Sequence, residues 1–72
     1  MKAIININDL SVPPSLPTKN QTIEDALNEL EQIKQKNIKH YDRCFRETKL
    51  PQFKEQRSYW EFCKFKVIDI KE

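Results

Sequence analysis

The feature that most constrains this chain is the spacing of its apolar residues between positions 22 and 47. Apolar side chains recur there every three or four residues, as they do on one face of an α-helix. A chain of 72 residues buries only about 60% of its unfolded surface, so one such helix must organise most of the core. The apolar stripe consists of Ile23, Ala26, Leu27, Leu30, Ile33, Ile38, Tyr41, Cys44 and Phe45.

Both ends of this helix carry recognisable signals. Thr22 is a favourable N-cap residue, and Asp25 three positions later completes a pattern like a capping box. Pro51 disfavours helical backbone at the residue before it, so the helix must end earlier. Lys34 and Asn37 interrupt the apolar stripe, and two interpretations remain open. Either the Lys34 side chain extends over a gap towards solvent, or the two residues are a polar register device in a helix–helix contact.

The flanking segments predict a small sheet. Residues 1–7 alternate apolar with polar side chains except at Ile4, which would need cover on the second face, and this pattern is typical of a strand. Residues 8–21 contain three prolines and predict an extended, semi-rigid connector. Residues 48–57 are polar and predict a loop. Residues 58–70 are rich in aromatic and β-branched side chains and predict a strand whose alternation changes phase, as at a β-bulge near Cys63.

These segments together predict a single α+β domain spanning residues 1–72. A short N-terminal strand and a bent or bulged C-terminal strand form a small sheet packed on one long helix. Such a sheet has exposed edges, and we expect a second copy of the chain or a strand of another protein to cover one of them, in a homodimer or a hetero-complex.

No constellation of residues predicts catalysis or a cofactor. The chain has no glycine, which excludes the glycine-rich phosphate-binding loops. His40 and Cys44 are spaced i,i+4 on the helix, and Cys63 is the only other cysteine. These three residues are too few for a structural zinc site, which takes four ligands. We therefore predict a protein that is not an enzyme and that needs no cofactor or metal.

Charge is unevenly distributed although the net charge is only +2. Residues 34–57 contain eight basic and three acidic residues, and helical spacing gathers several of the basic residues on one face. This face is a candidate for binding nucleic acid or an acidic partner. Its residues are Lys36, Lys39, Arg43, Arg46, Lys49 and Arg57.

A second candidate surface consists of aromatic residues near the C-terminus. Tyr59, Trp60 and Phe62 are core residues by default, but aromatic side chains that remain exposed are frequent hot spots of protein interfaces. A small chain without catalytic motifs and with a composition typical of AT-rich genomes favours a docking protein, such as a phage or mobile-element inhibitor of a host defence complex. A nucleic-acid-binding protein and a structural homo-oligomeric subunit are the alternatives.

The sequence also carries expectations about location. The first ten residues lack the apolar run of a signal peptide, and no segment approaches the about 20 apolar residues of a membrane span. Two cysteines do not make a secreted disulfide scaffold. We expect a cytoplasmic protein, in the host cell if the gene belongs to a phage, with a protein partner and no membrane contact.

Overall fold

The computed structural model describes residues 1–70 and has the predicted α+β class. Its elements follow the order β1 (Lys2–Asn6), α1 (Ile23–Thr48), α2 (Pro51–Phe62) and β2 (Phe65–Asp69). The two strands pair antiparallel in a two-stranded sheet.

The long helix α1 begins where the sequence predicts. The Thr22 side chain accepts a hydrogen bond from the Asp25 amide at 3.1 Å, and the Asp25 carboxylate accepts one from the Thr22 amide at 3.4 Å. This is the complete capping box, which satisfies backbone donors at the helix start. At the other end Lys49 adopts a left-handed backbone with φ of 59°, the conformation in which many helices end.

The predicted loop over 48–57 and the first half of the predicted strand over 58–70 are wrong, because residues 51–62 form the helix α2. Leu50 is its extended N-cap and Pro51 occupies the first turn, where the missing amide of proline costs no hydrogen bond. The aromatic residues of this segment were assigned to a strand on their β-propensity, which helical packing overrides here.

The predicted β-bulge is also absent. The phase change near Cys63 marks the end of α2 and the start of β2, so the residue period changes from that of a helix to that of a strand. The strand pairing is regular from Lys2 opposite Asp69 to Asn6 opposite Phe65.

The two helices form an antiparallel pair held by specific contacts. Tyr41 of α1 and Phe53 of α2 stack with ring centroids 6.4 Å apart. Lys34 of α1 donates a hydrogen bond of 2.7 Å to the carbonyl of Cys63, at the C-terminus of α2. Lys34 therefore connects the two helices inside the chain, which explains why a lysine interrupts the apolar stripe.

The molecule is thin and elongated. Its radius of gyration is 14.3 Å, whereas a compact chain of this length has about 11 Å, and its shortest dimension is 13 Å. The chain exposes 5784 Å² of surface, about 1000 Å² more than a folded monomer of 8.7 kDa usually does. Within residues 1–70 the buried side chains are few, namely Ala3, Ile4, Asn6, Ala26 and Cys63.

Candidate functional site

A buried polar network joins the end of β1 to the start of β2. The Asn6 amide donates to Cys63 Sγ at 3.3 Å, and its carbonyl oxygen accepts from the backbone amides of Asn8 and Lys64 at 3.1 and 3.3 Å. Cys63 Sγ in turn donates to the carbonyl of Tyr59 at 3.2 Å. Asn6 is thus the buried polar side chain that fixes the turn after β1 against the end of α2.

Two further contacts hold this turn at the surface. The Tyr59 hydroxyl donates to Asp9 Oδ2 at 2.9 Å, and the Asn8 side-chain amide donates to the carbonyl of Phe62. Hydrogen bonds from Ser11 and then from Tyr59 lower the pKa of Asp9, and the bond to Asp9 raises the pKa of Tyr59. The turn therefore presents its apolar residues beside the aromatic residues of α2.

An apolar groove lies between the connector, α1 and the end of α2. Its first part encloses about 120 Å³ and is lined by Val12, Ile33, Tyr59, Trp60 and Phe65, among others. Its second part encloses about 200 Å³ and is lined by Leu16 and Ala26, among others. Ser15, Leu30 and Ile33 line both parts, so the two concavities lie next to each other.

Large apolar side chains are exposed at one end of this groove. Leu10 is 77% exposed, Phe62 71% and Tyr59 39%, and Ile7 and Val12 are also exposed. The hydrogen bonds of Asn8 and Asp9 bring the turn and the helix end together, so these residues share one part of the surface. We call them the apolar cluster, which consists of Ile7, Leu10, Val12, Tyr59 and Phe62.

The aromatic candidates from the sequence thus separate into two environments. Tyr59 and Phe62 belong to the exposed apolar cluster, whereas Trp60 is half-buried in the groove wall with its ring edge-on to Tyr59, at a centroid distance of 5.6 Å. Sequence reasoning missed Leu10, Val12 and Ile33. Leu10 and Val12 lie in a proline-containing segment without strand or helix periodicity, and Ile33 belongs to the apolar stripe that was expected to be core.

The basic candidates separate as well. Lys36, Lys39, Arg43 and Arg46 are exposed on α1, and Lys36 and Lys39 border an open depression along that helix. Arg43 pairs with Glu47 at 3.8 Å and Arg46 with Asp42 at 3.1 Å.

The other two basic candidates have contacts within the chain. Arg57 does not share the exposed face, because it points between the helices and binds Asp42 at 2.6 Å. Its Nε also lies 3.3 Å from Glu61. Lys49 lies in the turn between the helices with its Nζ 5.9 Å from the centre of the Phe45 ring. Three of the six basic candidates therefore face a carboxylate.

The histidine and the cysteines do not assemble into a metal site within residues 1–70. Cys44 Sγ lies 3.7 Å from His40 Nε2, and both cysteines are free thiols. Cys63 is buried in the Asn6 network, where its sulfur serves as a hydrogen-bond donor and acceptor.

Neither helix in the described part of the chain combines the length and the apolar character that crossing a bilayer requires. Comparison of the chain with protein-family models, with curated proteins and with solved structures gives no match. The groove and the apolar cluster are therefore the features of this chain that bear on its function.

Proposed function

We propose that this chain is a non-enzymatic binding protein that docks on another protein through the apolar groove and the apolar cluster at its end. The observation that carries the proposal is the exposure of large apolar side chains on a turn and a helix end that hydrogen bonds hold in place. An exposed apolar patch next to a concavity is typical of an interaction site.

The dimensions of the groove favour a protein partner. Its two parts measure about 120 and 200 Å³, which together only reach the lower limit of the about 300–1,000 Å³ that is usual for small-molecule pockets. Spaces of this size suit one or two large apolar side chains of a partner, which is how interface hot spots are commonly filled. The partner we propose is therefore a protein segment that presents leucine, methionine or aromatic side chains.

The rigidity of the apolar cluster also favours docking. Asn6, Asn8 and Asp9 fix the turn through one buried and two surface contacts, so Leu10 is presented with little ordering left to occur on binding. A surface that is already ordered loses less conformational entropy in a complex, which increases its affinity.

The test compares identical substitutions at two exposed leucines. Leu10 belongs to the apolar cluster, and Leu50 is exposed in the turn between the helices. Tagged wild-type protein, Leu10→Ser and Leu50→Ser are each incubated with nuclease-treated lysate of the natural host, and the retained proteins are identified by mass spectrometry. We expect one defined protein with the wild type and Leu50→Ser, and at least a tenfold loss with Leu10→Ser.

The single tryptophan supplies a second measurement with the purified partner. Trp60 lines the groove, so docking should shift its fluorescence emission, and the titration should give the same affinity as the capture experiment. Capture that is equal for Leu10→Ser, Phe62→Ser and the wild type would contradict the proposal.

The capture experiment also tests the alternative function, which is binding of nucleic acid. If the exposed basic face were the binding surface, nuclease would remove the captured material, and the double variant Lys36→Glu, Lys39→Glu would lose it without nuclease. Docking through the groove predicts that this double variant still captures the partner.

A more specific form of the proposal is an inhibitor of a host defence complex encoded by a phage or mobile element, which the composition typical of AT-rich genomes supports. Its test is expression of the wild type and Leu10→Ser in host cells that carry a defence system. The proposal predicts that the wild type reduces protection against infection and that Leu10→Ser does not.

A further inference from the structure

The outer edge of β2 carries backbone groups that have no partner within residues 1–70. Ile7 donates to the carbonyl of Lys64, and Ile70 donates to that of Met1, which identifies the hydrogen-bonded pairs of the ladder. By the alternation of an antiparallel ladder, Lys66 and Ile68 direct their peptide groups towards β1. Phe65, Val67 and Asp69 therefore direct their N–H and C=O groups outward.

The corresponding edge of β1 is already covered. The amide of Ile4 donates to the carbonyl of Ser15 at 2.9 Å, and the amide of Ser15 donates to the carbonyl of Ile4 at 2.8 Å. Prolines at positions 14 and 17 flank this bridge and cannot donate to a further strand. The connector thus closes one edge of the sheet, and β2 forms the open one.

We propose that two copies of the chain pair through this open edge, with β2 of each copy antiparallel around a twofold axis at Val67. The two small sheets then form one continuous four-stranded sheet. This inference does not rest on the proposed docking function, because it is argued from the open peptide groups of β2. Phe65 also lines the groove, but neither Val67 nor Asp69 belongs to the groove or to the apolar cluster.

The charges of β2 favour this register over a shift of the axis towards the start of the strand. Antiparallel pairing centred on Val67 places Val67 opposite its own copy and Phe65 opposite Asp69, so the outward peptide groups of each strand meet. Lys66 then lies opposite Ile68 of the partner copy. Shifting the axis to residue 66 places two lysines directly opposite each other, which is unfavourable.

The same register extends an apolar row across the sheet. Ile4 lies opposite Val67 within each chain, so the dimer aligns Ile4, Val67, the partner's Val67 and the partner's Ile4 on one face. Ile4 is almost completely buried already, and Val67 is half-buried. Dimerisation would complete the burial of Val67.

The amount of exposed surface fits a second copy. This chain exposes about 1000 Å² more than a monomer of its mass usually does, and pairing through β2 would cover part of that surface. Sheets of only two strands are marginally stable in water, so pairing would also stabilise the fold.

The first test is the oligomeric state of the full chain, measured by analytical ultracentrifugation over a range of concentrations. The wild type is expected to dimerise. Val67→Pro removes the outward amide and leaves the ladder to β1 intact, because the Val67 amide does not face Ile4. We expect this variant to be monomeric, with the far-UV circular dichroism of a folded chain.

The second test does not depend on whether the fold tolerates a proline at position 67. In a Cys44→Ser background, Val67→Cys places two thiols across the twofold axis at a Cα distance of about 5.5 Å, which is within the range of a disulfide. We expect oxidation to give a covalent dimer. Lys66→Cys is the matched control. Residue 66 of one copy lies diagonally across from residue 66 of the other, about 7–8 Å away, so this variant should crosslink much less.

A wild type that is monomeric at every concentration would overturn the inference, as would equal crosslinking of the two cysteine variants. A dimer that Leu10→Ser abolishes and Val67→Pro leaves intact would also overturn it, because the copies would then meet through the apolar cluster.

Discussion

The two halves of this molecule differ in the contacts that their side chains make. In the helical half, Asp42 binds Arg57 and Arg46, and Tyr41 stacks on Phe53. In the half that contains the sheet and the connector, large apolar side chains line an open groove, and one strand edge has no partner within residues 1–70. We infer that the contacts between the two helices hold the scaffold, and that binding occurs where the helices face the connector and the sheet.

The largest effect that would test this division comes from Asn6, which connects the halves. Asn6→Ala removes the donor to Cys63 and leaves the amides of Asn8 and Lys64 without their acceptor. We expect the free energy of unfolding in urea to fall by about 2–3 kcal/mol, because buried polar groups would lose their partners.

Asn8→Ala is the matched control for this substitution. It removes the exposed hydrogen bond to the Phe62 carbonyl and should cost about 0.5–1 kcal/mol. If both variants lost the same small amount, the Asn6 network would not be the connection between the halves.

A smaller effect is expected within the scaffold, where two arginines share one carboxylate. The Arg57 side chain is 26% exposed and lies 2.6 Å from Asp42, whereas that of Arg46 is 76% exposed. We expect Arg57→Ala to lower the free energy of unfolding by about 1–2 kcal/mol, because the ion pair is partly removed from water.

Arg46→Ala should change the free energy of unfolding by at most about 0.5 kcal/mol, because exposed ion pairs contribute little to stability. Thermal or urea unfolding of the two variants side by side measures the difference. Equal effects would mean that Arg57 belongs to the solvated basic face, as the sequence alone suggested.

The parts of the fold that sequence reasoning predicted correctly are those with local signals. Thr22 and Asp25 define the start of α1 by their own hydrogen bonds, and the alternation of residues 1–7, which only Ile4 interrupts, predicts β1. The helix α2 was missed although Pro51 is a favourable first residue of a helix. The proline was interpreted only as the end of α1, and the aromatic residues after it favoured a strand.

The candidate site was predictable only in part because it depends on long-range contacts. Tyr59 and Phe62 were recognised as aromatic residues, but their exposure follows from the helix that carries them. The contribution of Leu10 depends on Asn8 and Asp9 reaching residues 50 or more positions away. The periodicity of the sequence does not predict such long-range contacts. It also does not predict the pairing between Ile4 and Ser15.

The smallest effect we predict concerns the Asp9–Tyr59 hydrogen bond and its dependence on pH. Hydrogen bonds from Ser11 and Tyr59 lower the pKa of Asp9 below its ordinary value of 3.8, so the stabilisation is present above that value and is lost as the pH falls through the folded pKa. The pKa of Tyr59 is raised above 10.0, so its contribution is present below that value and is lost as the pH rises through the folded pKa.

These two shifts predict the behaviour of Tyr59→Phe, which keeps the aromatic ring and removes the hydroxyl. The melting temperature of the wild type should exceed that of Tyr59→Phe by a constant amount from about pH 5 to 9, and the difference should shrink below the ordinary pKa of Asp9 and above that of Tyr59. In an Asp9→Asn background the acid decrease should disappear, because no carboxylate remains to titrate. A difference that is independent of pH would show that the hydroxyl acts through packing alone, and the turn that presents Leu10 would then be held by Asn6 and Asn8.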